Sequence, residues 1–239
     1  MRFTVCDDHE AMSQRAAALM TEAVQRKPSL LFCAASGGSP TRAYNLFAAD
    51  KRMGAQLRVL KLDEWAGLAM DDAASCEAYL QRHLIGPLNL PPDRYYSLNS
   101  AAEDLPAECA TLQQRLAEIG PIDLCLLGVG LNGHLALNEP ADVLQPGCHV
   151  AKLAESSKNH PMLAGRDASL SHGLTIGMAD ILQSKHILAL VSGARKRDVM
   201  KQLLRHEITP LFPASFLWLH GNVDFLCDQA AMAGLEAPQ

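Results

Sequence analysis

The chain has 239 residues, of which 49% are apolar and 20% charged, with a formal net charge of -5. That balance excludes a disordered chain, and the length suffices for a sizeable core in one α/β domain spanning residues 1–239. With acids and bases mixed along the chain, nucleic-acid and anionic-membrane partners are disfavoured, while a local cation cluster for a phosphate stays open.

The first segment, MRFTVCDDHEAMSQRA, lacks the apolar stretch of a signal peptide, and no later segment has the length of a bilayer span. The seven cysteines (Cys6, Cys33, Cys76, Cys109, Cys125, Cys148 and Cys227) are scattered, odd in number and without a CxxC pair. They read as reduced thiols of a cytoplasmic protein rather than as a disulfide framework.

Met12, Ala16, Leu19, Met20, Ala23 and Val24 recur at helical spacing over Glu10 to Gln25, with Asp7 and Glu10 as a capping box and Pro28 as a stop. LLFCAA (Leu30 to Ala35) is a buried-strand run, followed by SGGSPT and a helix from Thr41 to about Phe47. LRVLKL (Leu57 to Leu62) is a second strand ending at Asp63-Glu64. Helical patterns follow at Ala74 to Ile85 and Leu105 to Ile119, then the strand DLCLLG (Asp123 to Gly128).

The last third holds LTIG, a short helix at Met178 to Gln183, the strand HILALV (His186 to Val191), a helix at Ala194 to Arg205, and the apolar runs SFLWL and VDFLC. Apolar strands alternating with amphipathic helices predict a mostly parallel sheet with helices on both faces. Sites in such sheets form where loops leave the carboxyl ends of strands. Three loops there carry unusual chemistry: Ser36 to Thr41, Asp63 to Leu68, and Gly128 to Pro140.

In the first loop, Gly37 and Gly38 permit close backbone approach, Ser39 can cap the following helix, and Pro40 suits its first turn. The helix start would favour a phosphate monoester; an ordinary tight βα turn has the same residues. In the third loop, Gly128-Val129-Gly130-Leu131-Asn132-Gly133 matches GxGxxG, but Pro140 leaves no room for the helix that a dinucleotide site needs. The same loop holds Asn132, His134 and Glu139, a histidine suited to proton transfer beside a carboxylate that can orient it. Of Asp63 and Glu64, one can serve as a general base and the other as a structural carboxylate, and spacing does not choose between them. No set of residues has zinc-ligand spacing, and no GxSxG elbow exists.

SGGSPT, KLDEW, GVGLNGHLALNEP and LTIGMADIL, in this order, resemble the glucosamine-6-phosphate deaminase and 6-phosphogluconolactonase superfamily over nearly the whole chain. GLNGHLALNEPADVLQPGCHV and ITPLFPASFLWLH are most similar to its galactosamine-6-phosphate isomerase/deaminase branch. The resemblance implies a doubly wound, Rossmann-like fold, no organic cofactor, no metal and a small phosphosugar substrate; it leaves the oligomeric state open. It implies Asp63 as the base at C2, His134 as the ring-opening acid/base, Glu139 as its carboxylate partner, and Asn132 where relatives of the best-known type have an aspartate. Gly37, Gly38 and Ser39 would hold the phosphate with Lys196, while the family's phosphate-binding arginine has no clear match, leaving Lys158 or Arg166. The implied reaction converts galactosamine 6-phosphate to tagatose 6-phosphate and ammonia.

Two alternatives stand beside it. A 6-phosphogluconolactonase is disfavoured by Asn138-Glu139-Pro140 and by Trp65, where lactonases tend to have an arginine. A phosphosugar-binding module without turnover is suggested by Asn132 and disfavoured by Asp63, His134 and Glu139 together. In hexameric relatives an N-acetylated phosphosugar activates through basic residues after the NEP motif. Here His149 and Ala151 occupy those positions, and Lys152 would face the other side of a strand, so that activation is expected to be absent.

Overall fold

The computed structural model describes residues 1–164 and 170–238. Its chain order is β1 (Arg2–Cys6), α1 (His9–Arg26), β2 (Leu31–Ala34), α2 (Gly38–Phe47), β3 (Arg58–Lys61), β4 (Asp63–Trp65), α3 (Cys76–Leu80), β5 (Tyr95–Tyr96), α4 (Leu105–Ile119) and β6 (Leu124–Gly128). It continues with β7 (His149–Lys152), α5 (Glu155–Lys158), β8 (His172–Thr175), α6 (Met178–Leu182), β9 (Ile187–Val191), α7 (Arg197–Leu203) and β10 (Val223–Asp228).

The expected doubly wound α/β sheet is present. Seven parallel strands run in the order β1-β10-β9-β6-β2-β3-β5. The apolar runs become β2, β9 and β10, buried at every position because helices cover both faces. From β2 the chain first moves outward to β3 and β5, then returns to β6 on the other side. The β2/β6 boundary is therefore the topological switch point, where loops diverge and leave a crevice. The loops after β2 and β6 carry SGGSPT and GVGLNGH.

Several local expectations need correction. Asp8, not Asp7, caps α1, accepting from Ala11 N at 2.8 Å, and Glu10 pairs with Arg42 of α2 at 2.8 Å instead of closing a capping box. α2 begins at Gly38 rather than Thr41, with Gly37 at the N-cap, so Ser39 lies inside the first turn and caps nothing. The pattern at Ala74 to Ile85 is α3 followed by a wide turn over Gln81–Ile85. SFLWL is no strand: Pro213–Leu219 is a 3-10 helix, with Pro213 in its first turn and Trp218 Nε1 donating to Leu203 O at 3.0 Å. A short apolar run has no periodicity to separate the two states, and the neighbouring proline decides it.

LTIG lies outside the main sheet. β8 belongs to a small antiparallel sheet in the order β4-β8-β7, with Asp63 paired to Thr175 and His149 also paired to Thr175. Ile176 N donates to Leu62 O at 3.2 Å, which ties this sheet to the exit of β3. Asp63 is thereby fixed one residue beyond Leu62. Within β7, Ala151 is buried and Lys152 exposed, on opposite faces as expected. Among the described residues, no helix is long and apolar enough to cross a membrane.

Candidate active site

The loops leaving β2, β3, β6 and β9 lie side by side at the carboxyl end of four adjacent strands. On this edge the structure separates the two neighbouring acids. Glu64 is fully buried and accepts from four donors: Lys61 Nζ at 2.7 Å, Trp65 N at 2.9 Å, Cys76 N at 2.8 Å and Glu77 N at 2.8 Å. Two of those are the first amides of α3, where a carboxylate is favoured. Glu64 is a structural clasp between β4 and α3.

Asp63 has no such backbone shell. Burial, followed by the charge of Glu64, pushes its carboxyl up to about 7; Lys61 and a hydrogen bond with the Cys76 thiol oppose the rise only in part. A carboxyl with that value changes protonation state near neutral pH, as a general base must.

The loop after β6 explains its own glycines. Gly130 N donates to His134 O at 2.9 Å, folding the loop back, and a Cβ on Gly130 would lie 2.3 Å from the imidazole. Gly133 has φ +86°, and a Cβ there would lie 2.1 Å from the ring of Phe212. These glycines make room for two rings, which is why the GxGxxG pattern is present without a dinucleotide helix. Asn138 is buried, and its Nδ2 donates to Leu135 O and Ile176 O, both at 3.0 Å, bracing the loop against the small sheet.

The loop brings Asn132, His134 and Glu139 together. Glu139 Oε2 accepts from His134 Nδ1 at 3.2 Å and from Asn132 Nδ2 at 2.8 Å. Asn132 Oδ1 accepts from the backbone N–H of His134 at 3.2 Å, so the amide holds the carboxylate and the main chain, not the imidazole. Oε1 of Glu139 accepts from Ala154 N at 3.2 Å and from the buried Ser157 Oγ. Burial alone would raise the Glu139 pKa; the bond to His134, its charge, and the bonds to Ser157 and Asn132 outweigh it and lower the value to about 2. An ionised Glu139 holds the hydrogen of the imidazole on Nδ1 and leaves Nε2 for proton exchange.

On the other side of the crevice, Gly37 caps α2 with φ +122°, a conformation that favours glycine, and offers no side chain to the first amides. Tyr79 Oη and Thr41 Oγ1 donate to Gly37 O at 2.8 and 2.9 Å, holding the turn. The amides at this helix start remain available to an anion. Lys196 follows β9 in a 3-10 turn over Ala194–Lys196, and its Nζ donates to Val129 O in the β6 loop. Burial, then the nearby Arg195, lower its pKa to about 8.

Of the alternative cations, Lys158 is engaged with Glu155 at 2.6 Å on α5, and Arg166 lies outside the described residues. His160 and Ser157, which sequence reasoning passed over, also enter this region. The His160 ring packs against Trp65 at 5.7 Å between centroids and approaches Gly37. No motif marks either residue; both follow β7 in a short polar stretch whose placement depends on tertiary folding.

Comparisons with known proteins identify the family. Residues 7–225 match the family of glucosamine-6-phosphate isomerases/6-phosphogluconolactonase. The chain is 38% identical to the glucosamine-6-phosphate deaminase of Bacillus pumilus (strain SAFR-032) over 231 residues, 94% of this chain and 96% of the relative. It is 36% identical over 225 residues to AgaI of Escherichia coli (strain K12), whose deaminase designation is provisional; the match covers 92% of this chain and 88% of that protein. A solved structure described as a monomeric glucosamine-6-phosphate deaminase superposes with a TM-score of 0.91 at 33% identity, covering 97% of this chain and 98% of the other. The 6-phosphogluconolactonase from Trypanosoma cruzi shares the fold, with a TM-score of 0.83 at 17% identity. A family match over residues 7–225, together with relatives more than 30% identical across nearly the whole chain, shows that this chain belongs to the glucosamine-6-phosphate isomerase/6-phosphogluconolactonase family.

Proposed function

We propose that the protein is a hexosamine-6-phosphate isomerase/deaminase, converting galactosamine 6-phosphate and water to tagatose 6-phosphate and ammonia. One observation carries the reading: two carboxylates at the same sheet edge are driven apart, Asp63 up to about 7 and Glu139 down to about 2. Environments that separate titratable groups in this way assign the base and the permanently charged partner.

The chemistry then follows from the named groups. His134 moves a proton between the anomeric hydroxyl and the ring oxygen, opening the sugar to its aldehyde, with Glu139 stabilising the transient imidazolium. The aldehyde makes the C2 hydrogen acidic. Asp63 takes that proton while the aldehyde oxygen gains one from solvent, giving an enolamine; Asp63 then returns its proton to C1, and loss of an N–H proton to solvent leaves an imine at C2. Water adds to the imine and ammonia departs. The α2 start at Gly37, Gly38 and Ser39 and the ammonium of Lys196 hold the 6-phosphate, so the reacting carbons lie at a set distance from their anchor.

Glu64 takes no part, because all its acceptor capacity is committed to Lys61 and three amides. The test is an assay of ammonia and ketose 6-phosphate from galactosamine and glucosamine 6-phosphates, run beside hydrolysis of 6-phosphogluconolactone. Ammonia with ketose from the galactosamine substrate is expected. Faster release from glucosamine 6-phosphate would reassign the epimer. Lactone hydrolysis without ammonia, or phosphosugar binding without turnover, would replace the reading altogether.

A further inference from the structure

His160 has no role in the proton transfers above, yet its ring lies where several elements of the crevice meet. It opens the short 3-10 turn Pro161–Leu163, and its Nδ1 accepts from Met162 N at 3.3 Å. That backbone donor determines the neutral tautomer and puts the ring hydrogen on Nε2. Nε2 and Cε1 form the edge nearest α2: a Cβ built on Gly37 would meet them at 3.9 and 4.0 Å. Trp65 packs on the ring, with the planes inclined by 41°. The Nε2–H donor is thereby held close to the helix start whose N-cap has no side chain of its own.

We propose that His160 is a binding residue for the anionic group of the ligand, donating from Nε2–H to a phosphate oxygen seated on the first amides of α2. This rests on the phosphosugar reading and names a third phosphate contact besides Lys196 and the helix start. A neutral imidazole is a useful donor there, because it adds directionality where Lys196 supplies a point charge.

The charges facing His160 give the contact a second property. His134, from the β6 loop, and Lys196, from the turn after β9, both act on it; Trp65 of β4 is uncharged and Gly37 contributes only backbone. Burial first, then His134 and Lys196, push the His160 pKa down to about 4, so the ring is neutral near pH 7 when the crevice holds no ligand. A bound dianion reverses the local field and favours the imidazolium. Ligand binding and proton uptake at His160 are then linked, and the signature is a higher His160 titration midpoint in the bound state than in the free one.

The experiment follows the His160 ring resonance by NMR in the intact protein, assigned by its loss in His160→Gln, across pH with and without inorganic phosphate. Steady-state kinetics of His160→Phe, which keeps a ring against Trp65 but removes the donor, run in parallel with Lys196→Ala. Phosphate should raise the His160 titration midpoint by about one unit or more, as a charge at hydrogen-bond distance does. His160→Phe should raise KM for the phosphosugar and the inhibition constant of phosphate together by roughly 10-fold, with kcat nearly unchanged. An unmoved His160 midpoint while phosphate binds and Lys196→Ala weakens it would overturn the proposal and leave the phosphate site standing. Phosphate affinity indifferent to both substitutions would overturn the phosphate site as well. If His160→Phe does not fold, the titration of the unaltered protein decides alone.

Discussion

Ser157 Oγ donates to Glu139 Oε1, the oxygen opposite the one that Asn132 and His134 share. The same hydroxyl lies 3.3 Å from His134 Nδ1. Ser157 therefore braces the carboxylate and the imidazole from one buried position, a link between α5 and the β6 loop across 18 residues of chain.

Ser157→Ala should loosen that brace without removing a reacting group. Turnover is expected to fall about 10-fold, and stability by about 1 kcal/mol for the lost buried hydrogen bond. Ser157→Thr, which retains the hydroxyl, should restore most of the rate. Equal impairment by both substitutions would point to packing instead.

Asp63→Asn should lower kcat by about 10²–10⁴-fold, since it keeps the shape and removes the proton acceptor. In the unaltered enzyme the rate should climb as pH rises through about 7, where Asp63 becomes ionised. Stability should run the opposite way. The folded carboxyl binds its proton more tightly than the unfolded one, so between roughly pH 4 and 7 stability falls as pH rises. Asp63→Asn should thus raise Tm at pH 8 by a few degrees, a gain that shrinks toward pH 4. Near-normal turnover, or a Tm difference independent of pH, would contradict the assignment.

Asn132→Asp would set a second carboxylate against Glu139 Oε2, where Asn132 now donates at 2.8 Å. Repulsion between the acids and attraction of the imidazolium should both move the associated limb of the pH–rate profile upward. The effect is expected to pass through Glu139, since Asn132 contacts that carboxylate rather than the ring. It should therefore diminish in an Asn132→Asp, Glu139→Gln double variant. A profile unmoved in both would remove position 132 from the network.

Gly130→Ala should cost turnover at least about 100-fold, because its Cβ would occupy the space of the His134 ring and a displacement of 1 Å is enough for such a loss. Gly128→Ala adds a Cβ that meets nothing within 4 Å and should leave the rate nearly intact. Similar losses in both variants would mean that the loop requires glycine for backbone freedom alone.

Substrate saturation should be hyperbolic, with or without N-acetylglucosamine 6-phosphate. His149 has its Nδ1 at 2.9 Å from Gly147 O, Ala151 is buried, and Lys152 points to the opposite face. A phosphate at this stretch would find no pair of cations on one side. A sigmoidal curve made hyperbolic by that compound would show an activator site built from other residues.

Much of the architecture was legible in the chain itself. Leu31–Ala34, Ile187–Val191 and Val223–Asp228 are strands buried on both faces, and such strands must be continuous apolar runs, a local property that survives without knowledge of their neighbours. The strand-end loops followed from the same alternation, and Pro140 excluded a dinucleotide helix after Gly133. Arg2–Cys6 escaped notice because an edge strand with mostly exposed side chains carries no such run. β4 escaped because three residues of mixed polarity have no period to detect.

The chemistry divided along the same line. The Asp63-Glu64 pair, His134 and Glu139 were recognisable as candidates, since they stand on loops that the strand pattern places at one sheet edge, and the family resemblance singled out Asp63. Which of Asp63 and Glu64 was committed depended on Cys76 and Glu77 closing over Glu64. The target of Asn132, the brace from Ser157 and the approach of His160 to Gly37 were likewise invisible in one dimension. Burial patterns arise from each residue's own solvation and repeat with the local backbone, so they are written into sequence. Hydrogen-bond partners are chosen by which distant segments the fold brings within about 3 Å, and only the tertiary structure makes that choice.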